Sequence, residues 1–254
     1  MNIIAYNLSK RGMDHDNNCE DSSLSIILPN GFVFNGVFDG CSSGKESHVA
    51  SSLMKRISLG CIFRILKNTN TRDTQLILYT LFCDMYSALV EFVHPRLSNP
   101  NLSYSEPDEF LSTLILSITD MQNGKSSMLL CGDGLVYLDE DSIPKINVHN
   151  DDGTVMYLST LIRSGTDVKT CYREYSYGFT FDLKSGISLC TDGILTYRDK
   201  FGRNRTEDAV NSLIISRKYQ NCDNMLIRSS RILENSDDCI RHADDVSVSR
   251  LIIV

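Results

Sequence analysis

The sequence predicts an α+β fold: two stacked antiparallel β-sheets, a β-sandwich, flanked by pairs of antiparallel helices. Strand-like runs cluster in sequence instead of alternating with helices, which argues against a parallel sheet of βαβ units. Two pairs of helix-like segments, 45–67 with 71–93 and 206–217 with 223–233, supply the flanking layers. A chain of 254 residues can bury the core such layers need, and a single domain over 1–254 is expected.

Each element has its own signal. Residues 1–8 read as a first strand, and 10–21 as a polar loop ending in Glu20-Asp21. Residues 22–38, interrupted by Pro29-Asn30-Gly31, read as a β-hairpin. In the first long helix Val49, Leu53, Ile57, Cys61 and Ile65 recur at helical spacing, with Ala50, Met54, Ile62 and Leu66 beside them. The second carries Ile77, Leu78, Leu81, Phe82, Met85, Leu89 and Phe92 on one face and stops at His94-Pro95. The short connection between the two implies an antiparallel pair. A polar loop is expected over 98–108. Strands follow at 112–119, 126–130 and 135–138, with Asn123-Gly124 and Asp133-Gly134 as hairpin signals. Residues 143–167 predict a strand near Val155–Tyr157 and an exposed loop. Strands at 175–183 and 187–191, a helix capped at Thr206, another from Asp223 and a central-type strand at 246–254 complete the chain.

Composition narrows the function. Hydrophobic residues make up 42% and charged residues 22%, as in ordinary soluble domains. A net charge of −7 argues against a nucleic-acid binder, which needs a basic face. The nine cysteines are scattered and form no CxxC pair, so neither a zinc ribbon nor a dithiol redox site is expected. Cys61, Cys83, Cys131 and Cys190 lie in apolar patterns and read as core. The first residues do not read as a signal peptide. No run reaches the ~18 apolar residues of a membrane span. A reduced, cytoplasmic monomer that binds neither membrane nor nucleic acid is expected.

The chemistry lies at strand ends. Apolar runs end in Asp39-Gly40, Asp133-Gly134 and Asp192-Gly193, and the last strand is preceded by Asp244-Asp245. One Asp-Gly alone is a turn. Four acidic strand ends read as carboxylates meeting around cations, because clustered carboxylates repel unless a cation sits among them. Mg²⁺ and Mn²⁺ favour such oxygen ligands. The hairpin over 22–38 also brings Glu20-Asp21 to the end that carries Asp39.

These segments resemble a known family. Gly36-Val37-Phe38-Asp39-Gly40, Gly132-Asp133-Gly134, Thr191-Asp192-Gly193-Ile194 and Asp244-Asp245-Val246-Ser247-Val248 are similar, in order and spacing, to the motifs of protein phosphatase 2C. Glu20-Asp21 is similar to that family's early acidic pair. The resemblance spans essentially the whole chain. It implies two Mn²⁺ or Mg²⁺ ions at one edge of the sandwich. Asp39 would bridge them, with the Gly40 carbonyl on one and Asp192 and Asp244 on the other. Glu20 and Asp21 would orient bound waters. Asp133 would join Asp192 at a third, weaker site. The implied activity is hydrolysis of phosphoserine and phosphothreonine in a phosphoprotein. A hydroxide bridging the metals would attack phosphorus in line.

Two positions depart from the family pattern. Cys41 follows the first Asp-Gly, where many members have a histidine proposed as leaving-group acid, although Cys-Ser-Ser-Gly resembles one bacterial branch. Asp16 or Asn17 stands where the family carries a phosphate-binding arginine. His15 and His242 are candidates for the acid, and Lys10 or Arg11 for the cation. The plainer expectation for each is an ordinary loop or surface residue. Ser42-Ser43 reads as a cap for the following helix. A silent phosphatase-like binding module and a hydrolase of small phosphoesters are the alternative functions.

Overall fold

The computed structural model describes residues 2–15, 18–28, 30–44, 47–97, 110–138, 144–145 and 155–254. The chain runs β1 (Ile3–Lys10), β2 (Ser22–Ile27), β3 (Phe32–Phe38), α1 (Ser47–Asn68), α2 (Thr74–Leu97), β4 (Leu114–Asp120), β5 (Lys125–Cys131), β6 (Leu135–Leu138) and β7 (Pro144–Lys145). It continues through α3 (Leu158–Arg163), α4 (Val168–Glu174), β8 (Tyr177–Asp182), β9 (Gly186–Cys190), a 3₁₀ turn (Asp192–Thr196) and β10 (Tyr197–Arg198). Last come α5 (Thr206–Ala209) with a π-turn segment (Val210–Ile215), α6 (Met225–Glu234), β11 (Arg241–His242) and β12 (Val246–Ile253).

Two five-stranded sheets form the sandwich, in the orders β1-β12-β9-β6-β7 and β2-β3-β4-β5-β8, with β10-β11 as a separate ribbon. Every pairing among the described residues is antiparallel. The alternation of β3 shows how the layers are divided. Phe32, Phe34 and Phe38 pack with Met54, Ile62, Leu81 and Phe82 of the α1/α2 pair. Val33 and Val37 face inward onto Ile187, Leu189 and Leu251 of the other sheet. On the far side α5 and α6 cover Val246, Val248 and Ile252 of β12. Arg250 shares that outer face. It is fully buried, and its guanidinium donates to the carbonyls of Leu213, Ile215 and Ser216 at the end of the π-turn. Those are carbonyls that a helix end leaves without partners.

Most expected elements are present, with several differences. α2 is not stopped by His94-Pro95 but runs to Leu97, Thr206 is the first residue of α5 and not its cap, α6 starts at Met225 and not at Asp223, and Cys83, expected in the core, is half-buried. Val155–Tyr157 is not a strand; it is irregular and leads into α3 and α4, which the sequence did not suggest. The strand expected from Tyr175 starts at Tyr177, because α4 runs to Glu174. Asp133-Gly134 is not a hairpin turn. β5 pairs with β4 and β8, whereas β6 joins the other sheet, so the chain crosses the sandwich here. Gly134 makes the crossing at φ +131°, where a Cβ would lie 2.4 Å from Ile115 Cδ1 and 2.8 Å from the Cys190 carbonyl. Ser42-Ser43 does not cap α1, which begins at Ser47. Val49, expected on the apolar face of α1, is 39% exposed, while Ala50, Met54, Cys61, Ile62 and Ile65 are buried. The loop expected at 98–108 and much of 143–154 lie outside the described residues.

Candidate metal centre

The register of the β2–β3 hairpin builds the first half of the site. Ser22 pairs with Phe38, so Asp21 and Asp39 emerge side by side. Their carboxyls hydrogen-bond each other, which requires a proton on one of them. The backbone holds Asp39 from the other side: its N–H donates to Thr113 Oγ1 at 3.1 Å, and its carbonyl accepts from Thr113 N at 2.8 Å. The Gly40 N–H donates to the Glu20 carbonyl at 3.2 Å.

The second half comes from β9 and β12, which lie side by side in the other sheet. Asp192 opens the 3₁₀ turn after β9 and hydrogen-bonds Asp39. Gly193 is required by close approach, since a Cβ there would lie 1.6 Å from the Asp245 carbonyl oxygen. Asp244 lies just before β12, its N–H donating to Thr196 Oγ1 at 3.2 Å. Its charge acts on Asp192, and Asp133 acts on both Asp39 and Asp192. The structure thus brings Asp21, Asp39, Asp133 and Asp192 into one electrostatic cluster, with Asp244 at its more open edge, 45% exposed.

Glu20 is placed differently from Asp21. Its carboxylate lies 3.5 Å from His15 Nδ1, and His15 Nε2 is 2.9 Å from Asp244 Oδ1. His15 is therefore not a free loop histidine. His242 is buried beside Tyr197, with Nδ1 2.7 Å from the Asp244 carbonyl. Burial holds its imidazole below the usual value, which suits a neutral packing residue better than an acid. Lys10 is turned away, bonded to Glu234 and Ser230. Cys41 lies 3.1 Å from Ser43 Oγ and also hydrogen-bonds Tyr157.

Three supports were not among the expected site residues. Thr191 Oγ1 donates to Asp21 Oδ2 at 2.6 Å and accepts from Ser247 N at 2.8 Å, tying β9, β12 and the acidic pair together. Asp245 accepts from Gly12 N at 2.6 Å and from Glu20 N, and so pins the 11–20 loop to the start of β12. Tyr157 reaches the Cys41 end of the cluster from the segment before α3. The pairing of Asp244 with Asp245 was a usable signal for the second of these. The other two depend on long-range packing.

The electrostatics are those of a site lacking cations of its own. Burial pushes Asp21 and Asp39 well above the ordinary carboxylate range, and neighbouring carboxylates add to it. Burial, then Asp133 and Asp244, pushes Asp192 up to about 6. No lysine or arginine pairs with Asp21, Asp39 or Asp192 among the described residues. An all-oxygen donor set that repels itself fits hard divalent cations.

Solved structures share this fold. A bacterial serine phosphatase is 16% identical over 100% of both chains with a TM-score of 0.64. PppA, a regulatory component of T6SS in Pseudomonas aeruginosa, is 18% identical over 98% of this chain and 97% of its own, with a TM-score of 0.61. The catalytic domain of the serine/threonine protein phosphatase PstP, in complex with two manganese ions, is 16% identical over 99% of this chain and 98% of its own, with a TM-score of 0.58. No curated protein sequence matches the chain. The family model for protein phosphatase 2C matches residues 11–237, most of the chain and all but the last of the acidic strand ends, so this chain belongs to the protein phosphatase 2C family.

Proposed function

We propose that the protein is a metal-dependent phosphatase acting on phosphoserine and phosphothreonine in proteins. The observation that carries this reading is the convergence of Asp39, Asp133, Asp192 and Asp244 on a cluster where Asp39 and Asp192 have no cationic partner among the described residues. Asp39, the Gly40 carbonyl, Asp192 and Asp244 would hold two Mn²⁺ or Mg²⁺ ions, and Asp133 with Asp192 a weaker third. When bound, the ions supply Lewis acidity that activates water and offsets phosphoryl charge. The manganese in the PstP structure supports this choice of metal.

The chain's own residues divide the remaining work. Asp21, fixed by the Thr191 hydroxyl, would with Glu20 orient waters on the ions. Glu20 and His15 form a polar wall next to Asp244. The β2–β3 hairpin and Thr113 hold Asp39 against displacement by its own repulsion from Asp21 and Asp192. Hydrolysis of an aryl phosphate and of a phosphoserine peptide, each with Mn²⁺ and with chelator, tests the reading. Turnover of both with Mn²⁺ alone is expected. Turnover of the aryl phosphate only would point to small phosphoesters, and turnover of neither by a metal-binding protein would leave a silent binding module.

A further inference from the structure

The ribbon of β10 and β11 hangs from both turns that carry the C-terminal acids. β10 follows the turn opened by Asp192, and β11 ends at His242, two residues before Asp244. The register pairs Tyr197 with His242 and Arg198 with Arg241. Directly opposed residues of an antiparallel pair point to the same face. Tyr197 and His242 take the inner face, buried with ring centroids 5.0 Å apart. Arg198 and Arg241 take the outer face, and both are exposed.

Like charges directly opposed weaken a strand pair. Here neither arginine forms an ion pair among the described residues. Arg203 and Arg205, close by, contrast with them: they are held by Asp199, Asp208 and Asp238. The positive charge extends beyond the ribbon. Arg231 is exposed on α6, and it acts with Arg241 on the Lys10 ammonium, itself paired with Glu234. A chain of net charge −7 thus carries an unneutralised arginine patch next to its carboxylate cluster. Guanidinium forks match carboxylates in geometry as well as charge.

We propose that Arg198 and Arg241 form a docking surface for an acidic peptide segment flanking the phosphorylated residue of the substrate protein, an inference that rests on the phosphatase reading above. A short acidic segment satisfies the two arginines and stops. A nucleic-acid backbone would run on into the carboxylate cluster and the acidic remainder of the surface, so a peptide is the better fit.

The test uses two labelled peptides with serine at the centre, so that no turnover occurs. One has Asp and Glu flanking the serine, and the other has Ala there. Fluorescence anisotropy reads their binding to the Mn²⁺-loaded protein. The wild type is expected to favour the acidic peptide by about tenfold at low salt, with the preference shrinking towards about 0.5 M salt. The Arg198→Glu/Arg241→Glu variant is expected to reverse the preference, and Arg198→Ala/Arg241→Ala to abolish it with less risk to the ribbon. Aryl phosphate hydrolysis on the same wild-type sample tests the phosphatase reading separately. Acidic preference without hydrolysis would keep the docking surface and remove the enzyme. Equal binding of both peptides by the wild type overturns the docking surface. So does a preference that survives in either variant with an unchanged circular dichroism spectrum.

Discussion

Asp120 and Asp39 lie at opposite ends of the β3–β4 strand pair, and they have opposite electrostatic surroundings. Asp120 pairs with Phe32, the first residue of β3, and Asp39 follows Phe38, the last. Arg72 grips Asp120 with Nε at 2.6 Å and with Nη2, and Gln122 N adds a bond at 2.8 Å. Burial alone would raise the Asp120 carboxyl, but the Arg72 and backbone bonds outweigh it and hold it below its usual value. Asp39 is half-buried with its carboxyl turned into the protein, yet it meets Asp21, Asp192 and Asp133 where Asp120 meets Arg72, and its carboxyl is pushed well up. Asp199 repeats the first pattern, pulled down to about 2 despite burial by bonds from Arg203 and from backbone N–H groups. A structural acid arrives with its cation built into the chain. The proposed metal ligands Asp39 and Asp192 have none among the described residues.

Removing the charge at each end of this strand pair should break the contrast in two different ways. Asp39→Asn is expected to lower Mn²⁺-dependent kcat/KM on aryl phosphate by about 10³-fold or more, since both proposed ions lose a ligand. The same change should raise Tm in chelator, because one self-repelling carboxylate is gone. Activity within a few fold of wild type would overturn the site assignment. Asp120→Ala is expected to do the reverse. It leaves Arg72 without its partner and should lower stability by about 2 kcal/mol. Turnover by the folded fraction should stay near wild type. Denaturant unfolding alongside kinetics separates the two effects.

A smaller effect is expected from pH. Between its ordinary value of 3.8 and about 6, Asp192 keeps a proton in the folded chain that the unfolded chain has released. The folded state then binds more protons, so stability falls as pH rises through this window. Asp21 and Asp39 are raised too, by burial and by neighbouring carboxylates, and contribute with the same sign. Asp120 and Asp199 have depressed values, and their stabilisation is lost only as pH drops below 3.8. In chelator, Tm should therefore decline from about pH 4 to about pH 6, and Mn²⁺ should flatten the decline. A chelated Tm that climbs over this range would contradict the raised values.

The parts of this molecule that were readable in sequence are those where a local rule and the tertiary structure agree. Phe32 to Phe38 is a nearly continuous apolar run because both faces of β3 are covered, and Ile77 to Leu89 repeats at helical spacing because one face of α2 lies on that sheet. Asp39, Asp192 and Asp244 were visible because each lies at the end of an apolar strand. The Asp133-Gly134 turn misled, since Asp-Gly signals a bend and cannot say which sheet the next strand joins. The two-residue strands β10 and β11 are too short to show periodicity, so Arg198 and Arg241 met only in the fold. Thr191 and Asp245 stand in visible motifs, but the partners they hold lie more than 150 positions away, beyond the reach of any local pattern.

The smallest effect is expected at Cys41, one residue beyond the Asp39-Gly40 turn. Its described partners are two hydroxyls, those of Ser43 and Tyr157, and neither is a base that would activate a thiol. Serine preserves the size of the side chain and can hydrogen-bond both partners. If the divalent ions held by Asp39 activate the attacking water, Cys41→Ser should keep aryl phosphate turnover within about threefold of wild type. A change of that size would reflect packing of the turn and not lost chemistry. Thiol alkylation should be similarly mild, limited by the bulk placed beside Tyr157. A covalent mechanism predicts the opposite, with no turnover of any substrate after either treatment. The deciding measurement is Mn²⁺-dependent aryl phosphate hydrolysis by folded Cys41→Ser, with metal binding checked by calorimetry on the same sample. Full loss with metal still bound would move the nucleophile from the carboxylate cluster to the thiol. Retention would make Cys41 a spacer in the turn that sets Asp39 in place.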